Sequence, residues 1–416
     1  MDAVNPNEER GSRIARRQGD VLLEAFALAV EAVEARRPLD QSLSRFFAGR
    51  RELGKRDRRL VGDALYAYFR WRGWLDGLDA PTALALAWRL DRLEPHPALT
   101  AFEPVDADAR TSALRQRPVE QLAPAWLADE LMTPRGADSQ SHVRRFIESI
   151  QTRPPTWLRL RRGNAEAVAR WFADKKLFAH VDLRMPSAIA VPPRFHAESL
   201  RSELGSEVDI QDIASQAVAE IAAPRPGERW WDACAGSGGK SLHLADLMQQ
   251  RGSVLATDVR KAALDELKQR AKSASVTMIA TRLIRESGEK ELPGSPFDGV
   301  LVDAPCSGIG TWSRNADARW RCDASWIKDC AVRQLAILNS SASHVSPGGR
   351  LIYATCSVTR RETTDVIDAF LQSRPDFARA PAKSCLSTEP APAGCIFLWP
   401  WDGPGDGMFI AALKRL

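Results

Sequence analysis

From about Val208 onward, short runs rich in Val, Leu, Ile and Trp alternate with longer stretches of helical period, and this alternation restricts the fold more than any other feature of the chain. Trp230 to Ala233, Ser253 to Thr257, Phe297 to Asp303 and Arg350 to Thr355 read as strands. Lys240 to Gln250, Arg260 to Lys272, Ser325 to Val345 and Glu362 to Leu371 read as helices. A strand, a crossover helix and a further strand pair in parallel, with helices covering the faces of the sheet. Two more strands, Cys395 to Trp399 and Met408 to Leu413, close the region as antiparallel neighbours. The expected fold class is therefore α/β, a doubly wound, Rossmann-like sheet that takes its ligands at the carboxyl ends of the strands.

Two of those ends deliver thiols. Phe297-Asp-Gly-Val-Leu-Val-Asp-Ala-Pro-Cys-Ser307 runs from an apolar strand into Asp303 and Cys306, and Arg350-Leu-Ile-Tyr-Ala-Thr-Cys356 repeats the pattern. A buried cysteine is usually a small apolar residue, which suffices for Cys322, Cys330, Cys385 and Cys395. Cys306 and Cys356 instead stand where this fold places ligands. A free thiol is only a few per cent thiolate near neutrality, so a neighbouring helix N-terminus or Lys240 is expected to lower the pKa and supply a nucleophile.

The turn Trp231-Asp-Ala-Cys-Ala-Gly-Ser-Gly-Gly-Lys240 follows the first strand of the alternation and opens a helix. Its glycines allow a sharp turn and close approach of backbone to ligand, at a helix N-terminus with unpaired N–H groups. A phosphate loop is excluded because position 234 is Cys where that motif needs Gly, and a dinucleotide fingerprint GxGxxG fails as well. The next strand ends at Asp258, where an acid meets ribose hydroxyls in such sheets; the competing reading is a helix N-cap. A nucleoside without a pyrophosphate fits this pair of features, which points to S-adenosylmethionine.

Methylation of carbon 5 of a pyrimidine requires a nucleophile of the kind found here. That carbon is unreactive in the aromatic ring until a thiolate adds to carbon 6, and a base must later remove the carbon-5 proton so that the thiol can leave. Two thiols would serve addition and release. Asp303 would hydrogen-bond the Watson–Crick edge of the base and stabilise charge on the ring during addition.

Upstream, residues 1–145 read as an all-helical domain. Val21, Leu22, Ala25, Phe26, Ala29 and Val30 recur at helical spacing, as do Leu60, Val61, Leu65, Tyr66 and Phe69, and Pro81 to Leu90 and Pro124 to Met132 are further helix candidates. Between the first two lies Arg50-Arg-Glu-Leu-Gly-Lys-Arg-Asp-Arg-Arg59, which reads either as a solvated loop or as a phosphate contact. Residues 146–207 form a small α/β unit: a strand Thr156 to Arg161, a helix capped by Asn164, and short strands within Val181 to Val191. The third part, 208–416, is the sheet described above. A net charge of +5 permits an anionic partner without requiring one. Seven cysteines without zinc-site spacing read as reduced thiols in a cytoplasm, with no metal. The polar N-terminus and the lack of any run near ~20 apolar residues lead us to expect neither export nor membrane insertion.

These motifs closely resemble the Sun/RsmB-type (Fmu) family of RNA cytosine-5 methyltransferases. The family's CAAPGGK turn corresponds to Cys234-Ala-Gly-Ser-Gly-Gly-Lys240, its DAPCS loop to Asp303-Ala-Pro-Cys-Ser307 and its ATCS loop to Ala354-Thr-Cys-Ser357. Its lead-in is similar to Ile210-Gln-Asp-Ile-Ala-Ser215 and its closing GDGFF to Gly405-Asp-Gly-Met-Phe409, while its PEEN is replaced by Arg360-Arg-Glu-Thr363. The resemblance implies a nucleophile at Cys356, a release thiol at Cys306, and Asp303 at the target base and near the cofactor. S-adenosylmethionine would lie against Cys234, Ala235, Gly236, Ser237, Gly238, Gly239 and Lys240, with Asp258 on its ribose. The small α/β unit resembles the family's RNA-binding extension, and the helical domain is similar to the NusB-like RNA-binding domain of bacterial members. The expectation is a monomeric RNA cytosine-5 methyltransferase acting on ribosomal RNA. The alternative is a non-catalytic RNA-binding or ribosome-assembly factor that keeps the fold; an exocyclic-amine methyltransferase ranks last, because Asp303-Ala-Pro-Cys306 does not fit its loop.

Overall fold

The β–α alternation produces the expected sheet in the computed structural model, which describes residues 6–193, 203–285, 294, 296–389 and 391–416. The chain divides into two compact units. The first comprises residues up to 129 together with 139–152 and 312–323; the second holds 130–138, 153–311 and 324–416.

The helical unit is built around three long amphipathic helices, Pro6–Glu34, Leu39–Ala48 and Lys55–Leu75, followed by Ala80–Leu90. Leu22, Ala25, Ala29, Leu60, Leu65, Phe69 and Leu84 form its core. The segment Trp312–Asp323 belongs to this unit although it follows the catalytic-loop motif in sequence. It is held by backbone-directed bonds: Arg319 Nη1 donates to Leu122 O at 2.6 Å, Trp320 Nε1 to Phe69 O at 2.7 Å, and Arg70 Nη2 to Ser313 O at 3.0 Å. Both arginines are fully buried. The helix expected over Pro124 to Met132 is confined to Leu127–Glu130. Leu131 instead bridges to Thr359, so its backbone groups are paired outside a helix.

In the second unit a small antiparallel sheet comes first, formed by β1 (Thr156–Leu160), β2 (His180–Val181), β3 (Ala188–Val191) and β4 (Val208–Ile210) in the order β2-β3-β1-β4. A helix Ala165–Asp174 connects β1 to β2, and Asn164 Oδ1 caps it by accepting from Glu166 N. One face of this sheet packs with its helix in a small core of Leu158, Val168, Phe172, Ile189 and Val191, while Trp157, Met185, Ala188 and Ala190 on the other face join the cluster that fills one face of the main sheet. Arg159 and Arg161 fix it further by pairing with Asp246 at 2.7 and 2.8 Å.

The main sheet contains β5 (Arg229–Asp232), β6 (Ser253–Asp258), β7 (Ile279–Leu283), β8 (Phe297–Asp303), β9 (Val345–Thr355), β10 (Phe377–Arg379), β11 (Cys395–Leu398) and β12 (Met408–Arg415). Its order is β10-β12-β9-β8-β5-β6-β7, with β11 also on β12. Strands β5 to β9 run parallel, and β12 is antiparallel to β9, β10 and β11. Side chains alternate across the pleat, so Trp230 enters the cluster with Leu301 and Ile352 while Trp231 faces the other side and donates to Thr257 Oγ1. The strand order reverses between β5 and β8, which opens the crevice of a doubly wound sheet at their carboxyl ends. Among the described residues no helix is long and apolar enough to cross a membrane.

Candidate active site

Parallel register brings the strand-end residues to one edge. Asp232 pairs with Ala256 across β5 and β6, and Asp303 with Ala354 across β8 and β9. The turn after β5, the acid closing β6 and the two thiol-bearing loops therefore emerge side by side.

Gly236 and Gly238 both have positive φ, +55° and +85°, which lets the chain reverse from β5 into the helix Gly239–Leu247. A Cβ at Gly238 would also lie 2.0 Å from Leu267 Cδ1. Arg270 holds the turn from behind, with Nη1 donating to Ser237 O at 2.8 Å and Nη2 to Asp209 Oδ2 at 2.6 Å. No motif signals this arginine; only the packing of its helix, Lys261–Ser273, reveals it.

Asp258 is the junction of the turn and β6. Its Oδ2 accepts from Gly236 N at 2.8 Å, and its Oδ1 from Arg260 N at 2.8 Å and Arg260 Nε at 3.0 Å. Burial raises the Asp258 carboxyl, but the hydrogen bonds from Arg260 and Gly236 outweigh it and hold the group below the usual carboxylate range. The helix that follows starts at Lys261 with Arg260 as its N-cap, so Asp258 stands outside the cap position.

Lys240 Nζ donates to Asp303 Oδ2 at 2.7 Å. Burial pulls the Lys240 pKa down, yet the Asp303 carboxylate more than offsets it and keeps the ammonium above its ordinary value. Beneath this pair, Asp232 is fully buried and accepts from Ser241 Oγ at 2.6 Å. Burial, reinforced by the Asp303 charge, raises its carboxyl to about 7. Cys234 is pushed well up by burial and by the Asp232, Asp303 and Asp258 carboxylates, so it remains a neutral thiol.

The Sγ atoms of Cys306 and Cys356 are 3.1 Å apart, and both residues are half-buried. The expectation that Lys240 or a helix terminus depresses the nucleophile's pKa is corrected for Cys356. Its thiol is held well above the ordinary value, first by the hydrogen bond with Cys306, then by burial and by the Cys306, Asp303 and Asp406 charges. Lys240 is close enough to interact with a Cys356 thiolate, but its charge does not reverse the shift.

Backbone packing fixes the loops from below. Gly310 N donates to Cys356 O at 2.9 Å and Gly407 N to Gly310 O at 2.8 Å. A Cβ on Gly310 would fall 2.0 Å from Gly407 O, so glycine is required where these three segments meet. Asp212 Oδ1 accepts from both Ala214 N and Asp406 N, joining the lead-in motif to the closing one.

A second residue that sequence reasoning missed is Glu362. It is completely buried and accepts from Ser307 N, Ser307 Oγ, Ser357 Oγ, Thr359 Oγ1 and Gln334 Nε2. The available signal was the second Glu of PEEN, which survives at this position of Arg360-Arg-Glu-Thr363.

This edge presents two carboxylates, Asp258 paired with Arg260 and Asp303 with Lys240, beside a glycine turn that lacks a phosphate cradle, which suits a nucleoside without a pyrophosphate.

Residues 219–414 match the family described as 16S rRNA methyltransferase RsmB/F. A protein of Klebsiella pneumoniae (strain 342) named Ribosomal RNA small subunit methyltransferase B is 33% identical over 303 residues, covering 71% of this chain and 66% of that relative. The chain thus spans just under two thirds of that relative's length. A protein of the same name from Xylella fastidiosa (strain Temecula1) is 30% identical over 405 residues, covering 95% of this chain and 89% of the relative. Among solved structures, the crystal structure of PH0851 superposes with a TM-score of 0.75 at 23% identity, covering 94% of this chain and 98% of that one, a likeness of fold.

Proposed function

Because the chain belongs to the RsmB/F family of 16S rRNA methyltransferases, we propose that it transfers a methyl group from S-adenosylmethionine to carbon 5 of a cytosine in ribosomal RNA. The observation that carries this reading is the contact between two thiols, 3.1 Å apart, at the carboxyl ends of adjacent strands beside an acidic nucleoside edge.

The bound donor supplies an electrophilic methyl group on a sulfonium. Asp258 would take the ribose hydroxyls, with residues 234–240 against the remainder and Asp303 near the cationic centre. The target base would leave its stack to enter the crevice, since its carbon 5 and carbon 6 are inaccessible within a helix. Once its proton has passed to water, Cys356 Sγ would add to carbon 6 and move electron density onto carbon 5, which would take the methyl group and leave the donor as a neutral thioether. Cys306, acting as a thiolate, would then accept the carbon-5 proton as the carbon 6–sulfur bond breaks and Cys356 leaves as a thiolate. Asp303, held by Lys240, would face the polar edge of the base and accept a hydrogen bond from its amine, while the Lys240 ammonium beside it offsets the negative charge that develops on the ring during addition. The raised pKa of Cys356 keeps its thiol protonated at rest, so that proton must leave before attack.

The reading is tested by incubating the protein with ribosomal RNA and labelled S-adenosylmethionine, then digesting to nucleosides. Label is expected in 5-methylcytidine. Cys356→Ala should abolish transfer, whereas Cys306→Ala should accumulate a covalent protein–RNA adduct. Cofactor binding without any transfer would instead support the non-catalytic RNA-binding factor.

The helical unit and the small sheet fit within this proposal as the RNA-binding parts, acting in a monomer. Binding of ribosomal RNA by charge-reversal variants of Arg51 and Arg56, compared with wild type at two salt concentrations, tests the helical unit's share.

A further inference from the structure

We propose that Glu362 is a positioning residue for both thiols, acting as a shared side-chain acceptor that ties the two cysteine-bearing loops together. The inference rests on the cytosine-5 reading for its catalytic consequence, but its structural content is independent of it.

Five donors converge on this one carboxylate. Oε1 accepts from Ser307 N at 2.8 Å and Gln334 Nε2 at 3.0 Å. Oε2 accepts from Ser357 Oγ at 2.6 Å, Thr359 Oγ1 at 3.1 Å and Ser307 Oγ. Ser307 directly follows Cys306, and Ser357 directly follows Cys356. Gln334 also donates to Pro305 O at 3.0 Å, so the residues on both sides of Cys306 are tied to the same centre. The Glu362 carbonyl in turn accepts from Tyr353 Oη at 2.7 Å, which anchors it to β9.

The residue type follows from the donors. A carboxylate is an acceptor at both oxygens and serves backbone N–H, amide and hydroxyl donors together. Glutamine keeps the shape but turns one end into a donor, so at least one hydroxyl must give up its bond to Glu362 or reverse it. Alanine removes the acceptor shared by all five donors; Gln334 keeps Pro305 O, but Ser307 N loses its partner, and an unsatisfied group in a closed interior is unfavourable by ~1–3 kcal/mol. Loops freed in this way would no longer hold two sulfur atoms in contact. Glu362 is completely buried and bonded to Ser307 and Ser357, so it acts through them and not on the reacting atoms.

The test compares wild type with Glu362→Ala, and with Glu362→Gln in case the alanine variant does not fold. Folding is checked by thermal melting and S-adenosylmethionine binding by calorimetry. The expected result is a folded variant with cofactor affinity within about twofold of wild type and kcat lowered about 100-fold, the scale of a small misplacement of reacting groups. In parallel, diamide takes two hydrogens from the thiol pair and leaves a disulfide, and the rate of Cys306–Cys356 closure is followed by mass spectrometry. That rate is expected to fall about tenfold, the scale of a lost orientation. A folded variant with kcat and closure rate both within twofold of wild type, or faster, overturns the proposal. If the wild type transfers no methyl group, the functional reading fails while the closure rate still decides the positioning role.

Discussion

Cys306 Sγ and Cys356 Sγ lie 3.1 Å apart although fifty residues separate them in the chain. The register Asp303 opposite Ala354 makes this contact: Cys306 follows the end of β8 by three residues and Cys356 that of β9 by one, and both loops turn toward the same crevice. Two thiols this close should close to a disulfide under mild oxidation. Treatment of the native protein with diamide is expected to lower the count of free thiols by two from the seven present, and to place the bond between these two residues in a peptide map. Methyl transfer should fall in step with closure and return on reduction. A bond elsewhere, or none, contradicts the geometry.

Lys240 and Asp303 are expected to behave as one unit. Lys240→Met removes the cation and leaves the Asp303 carboxylate without its 2.7 Å partner next to the thiols. Loss of a single preorganised electrostatic partner typically lowers kcat by ~10²–10³. Steady-state kinetics should show that loss with the fold retained; an unchanged kcat would remove Asp303 from the chemistry.

Asp258 joins the glycine turn to β6 through Gly236 N and Arg260. Asp258→Ala should weaken S-adenosylmethionine binding by at least about tenfold, the equivalent of ~1.4 kcal/mol. Calorimetry measures this directly, and RNA binding by the same variant should be unaffected.

The buried Asp232 gives a pH signature of stability. Its folded pKa is raised from 3.8 to about 7, first by burial and then by the Asp303 charge. Between those values the folded state holds a proton that the unfolded state has lost, so this group's contribution falls as pH rises through the window and is lost above it. The difference is on the order of 4 kcal/mol. Asp232→Asn, which imitates the protonated form, should melt progressively higher relative to wild type on going from pH 5 to pH 8. A difference in melting temperature that does not change with pH would mean that Asp232 is ionised throughout.

Much of this architecture is legible from local signals. The apolar run of β8 and the helix capped by Asn164 match the expected elements closely, because hydrophobic period and cap chemistry act over a few residues. Once β–α alternation is granted, the strand ends carrying Asp258, Asp303 and Cys356 must share one edge of a parallel sheet. The turn at Gly236 and Gly238 is equally local, since only its own backbone demands positive φ.

Other features depend on residues that meet only after folding. The pattern around Pro124 to Met132 suggested a helix, but pairing of Leu131 with Thr359 takes those backbone groups for a bridge. The segment Trp312–Asp323 lies in sequence between elements of the sheet, yet buried Arg319 and Arg70 staple it among helices. Nothing near Glu362 announces that Ser307, Ser357 and Gln334 will converge on its carboxylate. The chain's local chemistry thus specified the strands, the turn and the identity of the thiols. The 3.1 Å contact, the protonation of Cys356 and the acceptor that ties its loops were decided by tertiary packing, because distance, desolvation and hydrogen-bond partners are properties of neighbours remote in sequence.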